Sequence, residues 1–261
     1  MIDLGAGPPL VMIPGIQGHW EWMAPAISAL ARRCRVISYS LRDAPPEFDS
    51  FVHQLDAVLD EAKTGPVTLC GVSFGGWIAV RYAALRPQKV NGLILASAPS
   101  PSWRLDKVTE QAVTSPRIRG SLFLLGSVTR FAGELTGIES VGERWRFALR
   151  QCGRVIRRRP SPKAMSARVR TLAGMNLAAD CARVPAPTLV ITGEPDLDRI
   201  VPVSETCDYL TLIPGAKHIT LERTGHMGLV VRPDAFAEIV VQFMREVTEP
   251  AGTVSRASRS A

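Results

Sequence analysis

None of the five cysteines (Cys34, Cys70, Cys152, Cys181 and Cys207) stands in a C-x-x-C pair, and their number is odd. No disulfide framework is expected from such a scattered set; free thiols in a reducing compartment are. No stretch approaches the roughly 20 apolar residues of a membrane-spanning helix. The apolar run Leu10 to Ile13 is short and has no basic segment before it, so no signal peptide is expected and the reading is cytoplasmic, with no membrane partner. Internal repeats are absent, which excludes a solenoid. Aromatics amount to 6% of the chain, and none is interleaved in the basic cluster Arg154 to Arg159, which speaks against nucleic acid as a partner.

What is present is ordinary for a globular domain: 261 residues, 46% hydrophobic and 21% charged. That length fits one α/β domain carrying an insertion. The net charge of +7 is unevenly placed, because Ser100 to Ala186 holds 16 Lys+Arg against 6 Asp+Glu while the remainder is slightly acidic. One basic segment therefore sits in a chain that is otherwise not basic. It is read either as a solvated surface or as a face for an anionic substrate or an acidic carrier protein.

Up to Ala96 the pattern alternates strand and helix. Leu10–Ile13, Val36–Tyr39, Val67–Cys70 and Val90–Ala96 are apolar, β-branched runs. Between them, Glu21–Arg33, Asp49–Lys63 and Trp77–Leu85 have helical spacing. This alternation implies a mostly parallel, doubly wound sheet with helices on both faces. From Ser100 to Val184 only helical patches remain (Arg119–Phe131, Glu143–Val155, Lys163–Leu172). Thr188–Thr192 then resumes the sheet, followed by a helix over Val203–Leu210, a strand over His218–Glu222 and a helix over Pro233–Val247. The expected division is a core of 1–99 and 185–248, an insertion of 100–184, and a disordered tail of 249–261.

Chemistry concentrates after the strands. Gly71-Val-Ser-Phe-Gly75 reads G-x-S-x-G between a strand and a helix, where a sharp turn would lift the Ser73 hydroxyl clear of the sheet. A serine needs a base, and the base needs orienting. His226 lies in the Gly-flanked loop 224–228, and His19 in the turn after the first strand. His53 falls on a helix face and His218 in a strand, where packing accounts for them. For the acid, the loop Gly193-Glu-Pro-Asp196-Leu-Asp198 offers two aspartates. Gln17, Trp20 and Trp22 are candidates to line a substrate pocket. Trp77 is read as core, and Trp103 could serve either role.

Serine, aspartate and histidine in that chain order, each just past a strand, is the order of an α/β-hydrolase. With GVSFGG, GEPDLDRIVP and TGHMG, the chain resembles that family's serine esterases carrying a helical cap, over about Leu10 to Val247. The resemblance implies Ser73 as nucleophile and His226 as base. It also implies an oxyanion hole made by the backbone N–H groups of Ile16 and Phe74. Asp198 keeps the D-x-x-V-P spacing and is preferred as the acid, with Asp196 the alternative. The departures are Pro14-Gly15 where His-Gly is common, and an N-terminal stretch leaving room for at most one extra edge strand. The implied activity is cleavage of a small-molecule carboxylic ester or thioester through an acyl-enzyme, with no metal and no cofactor. The rival readings are C–C bond hydrolysis or perhydrolysis by the same residues, and a non-catalytic small-ligand-binding protein.

Overall fold

The structure, a computed structural model, describes residues 1–103 and 140–248. The expected helix over 119–131 and the expected tail beyond 248 lie outside the described residues. Seven strands form one sheet: β1 (Ile2–Leu4), β2 (Pro9–Ile13), β3 (Arg35–Ser38), β4 (Val67–Val72), β5 (Val90–Ala96), β6 (Thr188–Thr192) and β7 (Lys217–Thr220). Their order is β1-β3-β2-β4-β5-β6-β7. β1 pairs antiparallel with β3 at the edge, and every other pairing is parallel. β1 is an extra edge strand ahead of β2, consistent with the expectation of at most one.

Alternate strand residues feed two separate cores. Val11, Ile13, Ile37, Leu69, Leu93 and Leu95 face one way. Leu10, Met12, Val36, Cys70, Ile94 and Ile191 face the other. Both faces are dry, which is why the central strands read as continuous apolar runs instead of alternating. The first face is covered by α2 (Asp49–Glu61) and α3 (Phe74–Leu85), through Phe51, Leu55, Ile78 and Tyr82. The second is covered by α1 (Ala24–Leu30) and the C-terminal helix (Pro233–Thr248), through Ile27, Leu30, Phe236 and Val240. Each fully buried aliphatic side chain contributes about 1.5–3 kcal/mol by leaving water.

Between β5 and β6 the described chain is helical: α4 (Val141–Arg157), α5 (Pro162–Arg170) and α6 (Leu177–Cys181). α6 is tied to α3, the helix that follows the strand–helix turn, or elbow, at Ser73, by Arg81, whose guanidinium bonds Asp180 at 3.0 Å and Asp49 at 3.0 Å. Asp180 is 1% exposed and also pairs with Arg183, so its buried carboxylate is neutralised by two guanidinium groups.

Three local expectations change. The first helix is shorter than 21–33: residues 20–23 form a 3-10 turn, and the α-helix begins at Ala24. Pro25 is the reason, since a residue without an N–H fits only a first turn. The helix over 203–210 is two short ones, α7 (Val203–Cys207) and α8 (Tyr209–Leu212), meeting at Asp208, whose carboxylate accepts bonds from Ser100 and Ser102. The last strand occupies 217–220, shifted one residue earlier at its start and ending two sooner; Leu221, whose N–H still donates to the Thr192 carbonyl at 2.7 Å, packs in the core. It is followed by a one-turn helix, α9 (Gly228–Val231), too short to announce itself by periodicity. The C-terminal helix, α10, comes next.

Candidate active site

The strand–helix turn at Ser73 is tight for a steric reason. A Cβ on Gly75 would lie 2.4 Å from the Ile13 carbonyl oxygen, and one on Gly71 would lie 2.5 Å from the Gly75 oxygen. With β2, β4 and α3 this close, the backbone at Ser73 adopts φ 51° and ψ −122°. Such a conformation costs on the order of 1–3 kcal/mol and persists because the surroundings enforce it. Two bonds do so here: Ser73 N–H to the Ala96 carbonyl (2.9 Å) and Gly76 N–H to the Ser73 carbonyl (2.8 Å). Gly75→Ala is therefore expected to cost roughly 3 kcal/mol or more, seen as a Tm lower by at least about 6 °C in a thermal melt. An unchanged Tm would mean the turn is looser than this geometry.

His226 comes from the loop after β7 and is 5% exposed. Its Nε2 lies 3.1 Å from Ser73 Oγ, and its Nδ1 lies 3.2 Å from Asp198 Oδ2. A carboxylate accepts only, so Nδ1 carries the proton and donates it to Asp198. That leaves Nε2 as the acceptor for the Ser73 hydroxyl. Asp198 is 6% exposed, and its other oxygen accepts the N–H groups of Ile200 and Val201 at 3.0 Å each. Burial pushes the Asp198 carboxyl up. The His226 charge and hydrogen bond, helped by the two backbone donors, outweigh burial and hold the carboxyl below the ordinary value. The Asp198 carboxylate is thus kept ionised and oriented in a nearly dry position.

The remaining candidates are placed as follows. Asp196 is exposed on the same loop, while Asp198 faces His226. His19 is half-buried at the end of the first loop, and His53 is exposed on α2. His218 sits 2.9 Å from Thr192 Oγ1 across β6 and β7, within the sheet. The first loop passes beside the elbow, since a Cβ on Gly15 would be 3.4 Å from Ser73 Cβ. Ile16 is half-buried there, and Phe74 opens α3. Among the described residues, neither N–H donates to a loop carbonyl or a side chain.

Gln17, Trp20 and Trp22 are each half-buried in or beside this loop. Trp20 packs on the core, and Trp22 Nε1 donates to the Arg158 carbonyl at 3.2 Å, so Trp22 also holds α4 to the first loop. Trp77 is 6% exposed, in a ring cluster with Phe74 and Trp103. Arg168, on α5, gave no sign in the sequence, yet it bonds the Ile16 carbonyl at 2.8 Å. Nothing local marks such a contact, because the partners are 152 positions apart. Among the described residues, no group of three or more His, Cys, Asp or Glu is arranged to hold a metal ion, and no helix is long and apolar enough to cross a membrane.

A serine on a strained strand–helix turn, with an ordered histidine and carboxylate from the loops after the next strands of a mostly parallel sheet, defines an α/β-hydrolase. The sequence profile described as "Alpha/beta hydrolase family" matches residues 10–239, and the chain belongs to that family. It is 27% identical over 92% of its length to the pimeloyl-[acyl-carrier protein] methyl ester esterase of Aeromonas hydrophila, of which 96% is covered. It is also 27% identical to the 2-hydroxymuconate semialdehyde hydrolase of a Pseudomonas species, with 94% of this chain and 89% of that one covered. The fold is similar to that of an esterase from Exiguobacterium antarcticum, with a TM-score of 0.76, 20% identity and 94% of each chain covered.

Proposed function

We propose that the protein is a serine hydrolase that cleaves a carboxylic ester or thioester through an acyl-enzyme. The observation that carries this is the continuous line of hydrogen bonds Ser73–His226–Asp198, with distances of 3.1 and 3.2 Å. In this reading His226 Nε2 takes the Ser73 proton as Oγ attacks the acyl carbon. The imidazolium that forms is stabilised by Asp198, and it returns the proton to the leaving alcohol or thiol. The oxyanion accepts from the Ile16 and Phe74 N–H groups, each worth about 3–4 kcal/mol of barrier lowering. Water then repeats the sequence on the acyl-serine. A receptor that only held a ligand would have no use for a strained serine aimed at an ordered base. The test is pre-steady-state release of p-nitrophenol from p-nitrophenyl acetate. A burst of about one equivalent per chain is expected, and binding without turnover would sink the proposal.

The basic segment supports an acidic, carrier-linked acyl substrate. Exposed Arg146, Arg150 and Arg157 lie along α4, beside a stripe of exposed Val141, Trp145 and Leu149 at helical spacing. Within the cluster named from sequence, Arg158 pairs with Glu21 (2.6 Å) and Arg154 bonds Gln151 (2.9 Å), so both are partly committed. Exposed charges of one sign raise association with an acidic partner, and salt screens that attraction. Charge reversal at Arg146, Arg150 and Arg157 together is expected to raise KM for an acyl-carrier-protein ester about tenfold or more. KM for p-nitrophenyl acetate should stay within about twofold. Equal effects on both substrates would reduce the segment to a solvated surface.

A further inference from the structure

Arg168 is 0% exposed although it carries a permanent charge. Its guanidinium spreads over two loops. Nη1 donates to the Ile16 carbonyl (2.8 Å), Nε to the Arg42 carbonyl (3.1 Å), and Nη2 to the Leu41 carbonyl (3.2 Å) and Asp43 Oδ1 (2.9 Å). The counter-charge is weak, because the Asp43 side chain is 74% exposed. Backbone carbonyls therefore hold this cation in place more than an ion pair does. A planar, five-donor fork can reach several acceptors at fixed angles, which a lysine cannot do.

One of those carbonyls belongs to the turn proposed to build the oxyanion hole. Gly15 to Gly18 is closed by a bond from Gly18 N–H to the Gly15 carbonyl at 2.9 Å. The Gly15 carbonyl and the Ile16 N–H are two ends of one peptide plane, so this bond fixes the direction in which that N–H points. The next plane is held at the Ile16 carbonyl by Arg168. The third side of the turn is closed by contact: a Cβ on Gly18 would meet the guanidinium at 2.3 Å, and Gly18 has φ 81°, where glycine alone is unstrained. The neighbouring loop is joined to the same turn by Leu41 N–H to the Gly18 carbonyl (2.7 Å). Every plane of the turn is thus bonded or packed, and among the described residues the guanidinium is the one hydrogen-bond partner of the turn that comes from the inserted helices.

We infer that Arg168 is a positioning residue that clamps the Gly15–Gly18 turn from α5 and so sets the aim of the Ile16 N–H at the reacting carbonyl oxygen. The inference rests on the ester-hydrolase reading. Its consequence is that α5 and the oxyanion turn move as one body, so displacement of the inserted helices degrades transition-state stabilisation without touching Ser73. Arg168→Lys keeps the charge and removes the fork. Its kcat on p-nitrophenyl acetate is expected to fall roughly 10- to 100-fold, short of the ~10²–10³ for outright loss of an oxyanion donor, with KM changed less than about threefold. Inhibition by phenylboronic acid, which mimics the tetrahedral state, should weaken in step with kcat. Amide exchange in peptides spanning 14–19 should quicken while the β4 and β5 peptides stay protected. A residue that merely supports the fold would lower Tm and leave kcat intact well below the melt, and that outcome overturns the clamp. If no folded Arg168→Lys protein is recovered, Gly18→Ala forces the guanidinium away from the loop side, and an unchanged kcat there overturns the clamp equally. Failure of the ester-hydrolase reading shows separately, as a wild-type protein without turnover. The exchange of 14–19 then still decides whether Arg168 holds the turn.

Discussion

Ser73→Ala is expected to abolish ester hydrolysis and labelling by a fluorophosphonate while leaving the fold intact. The loss should be large, on the order of 10⁶ in kcat, because without an oxygen nucleophile the acyl-enzyme cannot form. Little structural cost is expected. Ser73 Oγ bonds His226 and supports no element, and the elbow's conformation is held by the Ala96 and Gly76 backbone bonds, which alanine keeps. Alanine at φ 51° is no worse than serine there, so the melt should be near that of the wild type. Activity and labelling measured beside a thermal melt check this. A folded variant retaining more than a few per cent of activity would remove Ser73 from the mechanism.

How much of this was legible in the chain depends on how local each cause is. The elbow was legible because its cause is contained in six residues: glycines at 71, 75 and 76 where backbones touch, and one serine between a strand run and a helix run. The buried parallel sheet was legible for the same reason, since strands dry on both faces must read as unbroken apolar runs. Boundaries fared worse. Pro25 moved the start of α1 because a single missing N–H outweighed three residues of favourable spacing. Two short helices meet at Asp208 where the spacing reads one, and serines more than a hundred positions away bond its carboxylate, a contact no local pattern marks. Arg168 is the extreme case. In the sequence it is one more arginine in a basic stretch, yet in the structure it is fully buried, with its partners on loops from the opposite end of the chain. Charge counting made the segment from Ser100 to Ala186 one basic surface. Burial divides that segment into arginines that hold the protein together, such as Arg168, and arginines exposed on α4, such as Arg146 and Arg150.

The two aspartates of the loop after β6 should separate sharply when each is made asparagine. Asp198 has one oxygen 3.2 Å from His226 Nδ1 and the other held by the Ile200 and Val201 N–H groups. Asp196 is exposed two residues away. The spacing D-x-x-V-P explains the difference: Pro202 caps α7, and the carboxylate three residues ahead of Val201 receives the Ile200 and Val201 N–H groups, which lie before the helix and are not used by it. An asparagine at 198 can present its amide nitrogen to Nδ1, which then must accept. The proton moves to Nε2, and the histidine is in the wrong tautomer to receive the Ser73 proton. By analogy with serine-protease triads, Asp198→Asn is expected to lower kcat by about 10⁴, with KM much less affected. Asp196→Asn should remain within about twofold of the wild type, because an exposed loop carboxylate has no charge to orient. Both are measured on p-nitrophenyl acetate at one pH. A dead Asp196 variant beside a nearly normal Asp198 variant would reverse the assignment and require the loop to rearrange before His226 is ordered.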